Sequence, residues 1–204
     1  MSRAKLPTSL IPSKSLMQFL DRVASSYREP ILDAPCGFGR NALALAGQGY
    51  DVVAVDNDLD RLESLKKTAA KNSLCETQSN GSSGRIIPIC ADLTSDRMPF
   101  SESSFSAILC IHYPVQQIIT DLCAALKGGG WLYIETFGGH GKNYLELPKA
   151  GEIRHVLQGF ELAFYKERLV GPASEEAVVV GALAQKPIRP KQNAGAFDIH
   201  VRQK

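Results

Sequence analysis

Residues 31–40 read Ile-Leu-Asp-Ala-Pro-Cys-Gly-Phe-Gly-Arg, an apolar run that ends in an acid, a proline and two glycines. The Ala/Leu-containing residues 41–46 follow and have the composition of a helix. A strand, a tight turn and a helix in that order leave Asp33 at the strand's carboxyl end. Gly37 and Gly39 have no Cβ, so a ligand can come close to the backbone of the turn. This unit is the first beat of an alternation that organises the rest of the chain.

Gly47 and Gly49 stop the helix, and residues 51–56 form a β-branched apolar run closed by a second acid, Asp56. Asn57 or Asp58 is placed to cap a helix with Leu59, Leu62 and Leu65 on one face and Arg61, Lys66 and Lys67 on another. A Gly/Ser-rich loop over 76–84 leads to a third strand, 85–92, which ends in Asp92 and which Pro88 assigns to a sheet edge. Residues 105–112 are almost continuously apolar, as in a strand covered on both faces. Residues 115–126 read as a helix that residues 127–130 stop, and 131–137 as strand five. After a loop over 138–148 and a short helix from Glu152, two β-like runs, 160–169 and 177–184, are joined by a short connector and predict an antiparallel hairpin.

Upstream, Leu16, Phe19, Leu20 and Val23 recur at helical spacing and predict a first helix from Ser13 that ends before Glu29-Pro30. Residues 1–12 are expected to be an irregular tail, 13–187 one domain and 188–204 a mobile, mildly basic tail. A chain of 204 residues with 44% hydrophobic content supports one sizeable core. A net charge of +2 gives no reason to expect a nucleic-acid partner. Five scattered cysteines without a CxxC pair read as reduced thiols of a cytoplasmic protein, and no apolar run reaches the roughly 18 residues of a membrane span. No His/Cys cluster has ligand spacing, so no metal site is expected.

Alternating strands and helices imply an α/β, Rossmann-like doubly wound sheet, and such sheets bind ligands outside the carboxyl ends of their strands. Asp33, Asp56, Asp92 and His112 each fall at such an end. Any one acid is equally well explained as a cap; four polar groups converging with a glycine turn are better explained by a ligand. Two ligands fit the turn. Residues 37–42 match the dinucleotide pattern G-x-G-x-x-[GA], with Asp56 about 20 residues on, where a ribose-binding acid belongs. Asp33 opposes that reading, because a carboxylate beside a pyrophosphate is repelled. A ligand with a ribose and cationic groups but no phosphate suits it better, and S-adenosylmethionine is one. Asp33 can then attract the amino group directly or through water, Asp56 can accept both ribose hydroxyls, and Asp92 with Leu93 can meet the adenine edge.

Residues 31–184 resemble a class I S-adenosylmethionine-dependent methyltransferase. Asp33-x-x-x-Gly37-x-Gly39 is similar to that family's first motif, Asp56 to its second-strand acid and Ala91-Asp92-Leu93 to its third-strand acid. Residues 104–108 resemble its D-x-F-D segment with serines in place of the acids, and residues 126–132 its L-K-P-G-G turn with Gly128 in place of proline. Residues 135–137 and 143–152 resemble the branch related to tellurite-resistance methyltransferases. The resemblance implies a seven-stranded, mostly parallel sheet with an antiparallel C-terminal hairpin, and S-adenosylmethionine as cofactor. It implies cofactor contacts at Asp33, Ala34, Gly37, Gly39, Asp56, Asn57, Asp92 and Leu93, and places His112 and Tyr113 facing the methyl group.

Glu135, His140 and Tyr144 are secondary candidates, and Cys36 reads as a packing residue. The expected activity is methyl transfer to a small molecule. A nicotinamide-dependent oxidoreductase and a non-catalytic S-adenosylmethionine sensor are the alternatives.

Overall fold

The computed structural model describes residues 11–19, 22, 29–74, 84–95, 99–138 and 143–188. The elements run α1 (Lys14–Gln18), β1 (Ile31–Asp33), α2 (Arg40–Ala46), β2 (Val52–Asp56), α3 (Leu59–Lys71), β3 (Ile86–Cys90), β4 (Phe105–Ile111), α4 (Ile119–Ala125), β5 (Leu126–Glu135), α5 (Glu152–Val156), β6 (Glu161–Leu169) and β7 (Val178–Gln185). The seven strands form one sheet in the order β3-β2-β1-β4-β5-β7-β6. The pairs from β3 to β5 are parallel, and β7 runs antiparallel to both β5 and β6. The seven-stranded sheet and its closing hairpin are as the sequence reading expects. An antiparallel β7 lodged between β5 and β6 departs from the 3-2-1-4-5-6 order of dinucleotide-binding sheets.

Side chains alternate across the sheet and feed two cores. Along β4, Ile108 and Cys110 face one layer, with α4 and α5; Ala107, Leu109 and Ile111 face the other, with α1, α2 and α3. All seven residues of β4 are buried, which accounts for its continuous apolar run. Pro88 sits in β3 at the sheet edge, where its missing N–H is tolerated. Asp58 caps α3, accepting from the N–H groups of Asp60 (3.0 Å) and Arg61 (3.2 Å). Leu62, Leu65 and Ala69 are the helix's buried face.

Three expectations shift. Residues 115–126 are not one helix: a 3-10 turn, Val115–Gln117, precedes α4, and Ile118 between them leaves helical geometry at φ −126° and ψ −4°. Residues 127–130 do not form a stop; β5 begins at Leu126 and runs through them to Glu135, short of Phe137. Gly130 makes this possible, since a Cβ there would lie 2.7 Å from the Ser106 carbonyl oxygen of the adjoining strand. The first helix is short, α1 closing at Phe19, while residues 20–21 and 23–28 lie outside the described set, as do residues 1–10, Cys75, most of the 76–84 loop, His140 and the tail from 189.

Candidate functional site

β1 is flanked by β2 on one side and β4 on the other, so the strand order reverses at β1, and a cavity of about 350 Å³ opens at the carboxyl ends there. Gly37, Asp56, Asn57, Asp92, Leu93, His112 and Tyr113 all line it. Asp33, Ala34 and Gly39 do not. Asp33 and Ala34 are fully buried behind the wall, and Gly39 serves the fold: a Cβ there would lie 2.3 Å from Leu65 Cδ1, so it lets α2 start close against α3. The expectation that both glycines open the backbone to a ligand is therefore corrected for Gly39 and retained for Gly37. At Gly37, φ is +58° and a Cβ would meet nothing within 4 Å.

The glycine turn is held by its own backbone. The Cys36 N–H donates to the Val55 carbonyl (2.7 Å) and the Gly39 N–H to the Cys36 carbonyl (2.9 Å). Asp56, 2% exposed, ties the turn to β2: its Oδ2 accepts from the Gly37 N–H (2.8 Å) and its Oδ1 from the Asp58 N–H (3.0 Å). Arg61 lies 3.6 Å from the same Oδ1, with its guanidinium above the Phe38 ring. Each carboxylate oxygen has a further lone pair, so Asp56 remains able to accept two hydroxyls.

Asp33 differs. Its Oδ2 accepts from the Ala42 N–H (3.2 Å), but its Oδ1 is buried with no partner. Burial pushes its pKa up to about 7, against the opposing influence of the Ala42 bond and Arg40. An unpartnered, buried carboxylate oxygen behind the turn suits a cationic ligand, which would favour its ionised form. Cys36 is buried, and burial likewise raises its thiol pKa, so it packs as a neutral group. Asp92 is held at about 2, chiefly by the Thr94 hydroxyl (2.7 Å) with help from the Thr94 N–H (2.9 Å).

On the β4–β5 side, His112 adopts φ +58°, an uncommon conformation for a side-chain-bearing residue that turns the chain off β4 at the cavity rim. Its N–H donates to the Glu135 carbonyl (2.6 Å). The ring's Nε2 lies 3.4 Å from Glu135 Oε1 and its Nδ1 lies 3.5 Å from the Arg40 guanidinium. Burial raises the Tyr113 phenol above its usual range.

Glu135 accepts from the Ser13 hydroxyl (2.7 Å) and the Tyr133 hydroxyl (3.0 Å). The His112 contact is the leading reason that its pKa sits at about 2. Arg40, Arg61 and Ser13 were not identified from sequence as site residues. Arg40, directly after the second glycine, and Arg61, three residues after the Asp58 cap, had positional signals; the pairing of Ser13 with Glu135, 122 positions away, had none.

Residues 31–130 match the methyltransferase domain family. The chain is 37% identical over 103 residues to YodH, an uncharacterized methyltransferase of Bacillus subtilis, covering 50% of this chain and 38% of that protein. It is 29% identical over 134 residues to a ubiquinone biosynthesis O-methyltransferase of Chromobacterium violaceum, covering 63% of this chain and 53% of the relative. The chain thus spans about half or less of the curated relatives it matches. An S-adenosylmethionine-dependent methyltransferase structure from Methanosarcina mazei has the same fold at 19% identity and a TM-score of 0.61, with 88% of this chain and 100% of that one covered.

Proposed function

We propose that this chain is a class I S-adenosylmethionine-dependent methyltransferase and that it moves the methyl group of S-adenosylmethionine to a small-molecule acceptor; the family match over residues 31–130 and the shared fold support this. One observation carries the reading: Gly37, Asp56, Asp92 and His112, from the ends of four strands, meet on one cavity, with a buried carboxylate behind it whose Oδ1 has no partner. When bound, the cofactor supplies an activated methyl on a sulfonium whose leaving group is a neutral thioether.

The chain's residues bind and orient. Asp56 takes the ribose hydroxyls, beside Asn57. Asp92 accepts from the adenine edge, against Leu93. Gly37 lets the amino-acid end approach, and Asp33 favours its ammonium through the field behind the turn, supported from behind by Ala34 and Gly39. Holding nucleophile, methyl and sulfur in line and excluding water is the main catalytic demand. His112 and Tyr113 stand on the acceptor side, where they orient the nucleophile and His112 takes its proton if it carries one.

A small acceptor is supported by the name of the Chromobacterium relative, an O-methyltransferase of ubiquinone biosynthesis. Residues 143–152, whose motif resembles the tellurite-resistance branch, supply no wall of the cavity, so that likeness gives no lead on the acceptor.

A titration tests the reading. S-adenosylhomocysteine is expected to bind and NADH not to, with Asp56→Ala and Asp33→Ala both weakening the former. Unchanged binding in both variants would end the site assignment. Transfer of a labelled methyl into a metabolite extract separates an enzyme from a binding module.

A further inference from the structure

A second cavity, of about 300 Å³, adjoins the first and shares Arg40 and His112 with it. It lies beneath the N-terminal segment, which is fixed over the strand ends at two points. The Ser13 N–H donates to Asn41 Oδ1 (3.0 Å), and the Ser13 hydroxyl donates to Glu135 (2.7 Å). The charges that the described residues turn to this space do not balance. Among the described residues Glu135 is the single carboxylate lining it, and that carboxylate is already occupied by Ser13, Tyr133 and His112. Lys14 and Arg40 line the same space, and among the described residues neither makes an ion pair with a carboxylate within 4.0 Å.

We infer that this second cavity is the methyl-acceptor site and that it takes a small molecule carrying an anionic group, held by Lys14 and Arg40, next to its nucleophilic atom. The inference rests on the proposed transfer reaction and adds the charge class of its acceptor. Donation of the His112 Nε2 proton to Glu135 leaves Nδ1 as the proton-accepting nitrogen. In this structure Nδ1 is 3.5 Å from the Arg40 guanidinium, so an anion that draws Arg40 to itself also frees Nδ1. The acceptor atom forms its bond to the methyl carbon, the carbon–sulfur pair stays on sulfur, and the acceptor's proton goes to Nδ1. The anionic group is separate from the nucleophile, so the product keeps its negative charge.

Arg40 also lines the cofactor cavity, where the cofactor's own carboxylate competes for it; Lys14 lines only the second cavity and is the discriminating residue. The test incubates the protein with methyl-labelled S-adenosylmethionine and a metabolite extract, separates products by anion exchange, and follows rate against extract dilution. The labelled product is expected to be retained on the anion exchanger. Lys14→Gln is expected to raise the half-saturating extract concentration about fivefold, with S-adenosylhomocysteine affinity within twofold of wild type.

Arg40→Gln is expected to lose tenfold or more in rate at low extract concentration, and Arg40→Lys to recover part of it. A neutral or cationic labelled product, or an unchanged half-saturation in Lys14→Gln, overturns the inference and leaves the transfer reaction standing. Loss of S-adenosylhomocysteine affinity in Arg40→Gln without a Lys14 effect assigns Arg40 to the cofactor and likewise overturns it. No labelled product of any kind, with S-adenosylhomocysteine still bound, overturns the transfer reaction itself.

Discussion

The two halves of the cavity wall are held by different kinds of bond. On the β1–β2 half, backbone groups of the turn bond one another and the Asp56 carboxylate, between positions at most 19 apart in sequence. On the β4–β5 half, side chains bond side chains across long separations: Arg40 to His112 over 72 positions and Ser13 to Glu135 over 122. A backbone cradle keeps its shape whatever side chains surround it, which suits a ligand that never changes. A side-chain network is rebuilt by single substitutions, which suits an acceptor that differs from one protein to the next. The contrast implies that substitutions on the first half cost folding or cofactor binding, while those on the second cost transfer with binding intact.

The largest effect is expected at Gly39. Gly39→Ala adds a left-handed penalty of roughly 1–2 kcal/mol to overpacking against Leu65 of roughly 1–3 kcal/mol. The melting temperature should fall by roughly 5–15 °C for a chain of this size. Gly37→Ala carries only the conformational penalty, and because Gly37 lines the cavity its loss should appear in S-adenosylhomocysteine affinity more than in melting temperature. Equal melting temperatures for the two variants would erase the distinction between the glycines. Next in size is Asp56→Ala, which removes charge-assisted acceptors worth roughly 1.5–3 kcal/mol each; calorimetry should show S-adenosylhomocysteine binding weakened about 100-fold. Asp92→Ala, at a half-buried position with its own Thr94 partners, should lose about tenfold or less.

Asp33 supplies a pH-dependent test within the first half. Its pKa is raised from 3.8 to about 7, so the folded chain holds this proton more tightly than the unfolded chain does. Its contribution to stability is therefore full below about pH 4 and declines as pH rises to about 7. Ionising it costs on the order of 4 kcal/mol at the upper limit, and an unpartnered amide N–H in its place costs roughly 1–3 kcal/mol. Asp33→Asn should accordingly be more stable than wild type by about 1–3 kcal/mol at pH 8, with the order reversing toward pH 4, where wild-type Asp33 is protonated and only the amide's cost of about 1–3 kcal/mol remains. Wild-type affinity for S-adenosylhomocysteine, with its ammonium group, should rise with pH through 7, while Asp33→Asn should stay flat and about tenfold weaker at pH 8. Superimposable pH curves would remove Asp33 from the site.

The same division decides what was legible in the sequence. Strand ends, the glycine turn and the acids at 33, 56 and 92 are written locally, in runs of three to ten residues, and their placement at the carboxyl edge followed from strand–helix alternation. Pro88 marked its edge strand for the same local reason. Burial was not legible: Asp33 and Asp56 look alike in sequence, yet one lies behind the wall and the other on it, because that depends on how α2 packs over β1. Gly39 looked like a ligand glycine because its neighbour Leu65 comes from another helix. Residues 127–130 looked like a helix stop because three glycines carry no strand signal, and only the approach of Ser106 explains Gly130. The Ser13–Glu135–His112 chain joins three segments with no shared motif.

A comparably small expected effect probes that chain directly. Glu135 touches neither cavity's reacting atoms in the proposed reaction; it holds His112 through Nε2 and is held in turn by Ser13 and Tyr133. Glu135→Gln preserves shape and two of the accepting contacts but withdraws the charge that fixes the imidazole tautomer. The expected result is a fall in kcat of about tenfold with S-adenosylhomocysteine affinity unchanged. A purely structural role would lower the melting temperature and leave kcat near wild type, so the two readouts separate positioning from packing. The carboxyl's pKa, lowered from 4.5 to about 2 with His112 the leading cause, adds a second signature. Its stabilising contribution is full above about pH 4.5 and is lost as pH falls toward 2. Acid unfolding of Glu135→Gln should therefore be shallower than that of wild type in that window. If kcat holds and only the acid limb changes, Glu135 ties the N-terminal segment to β5 and the imidazole is oriented by Arg40 alone.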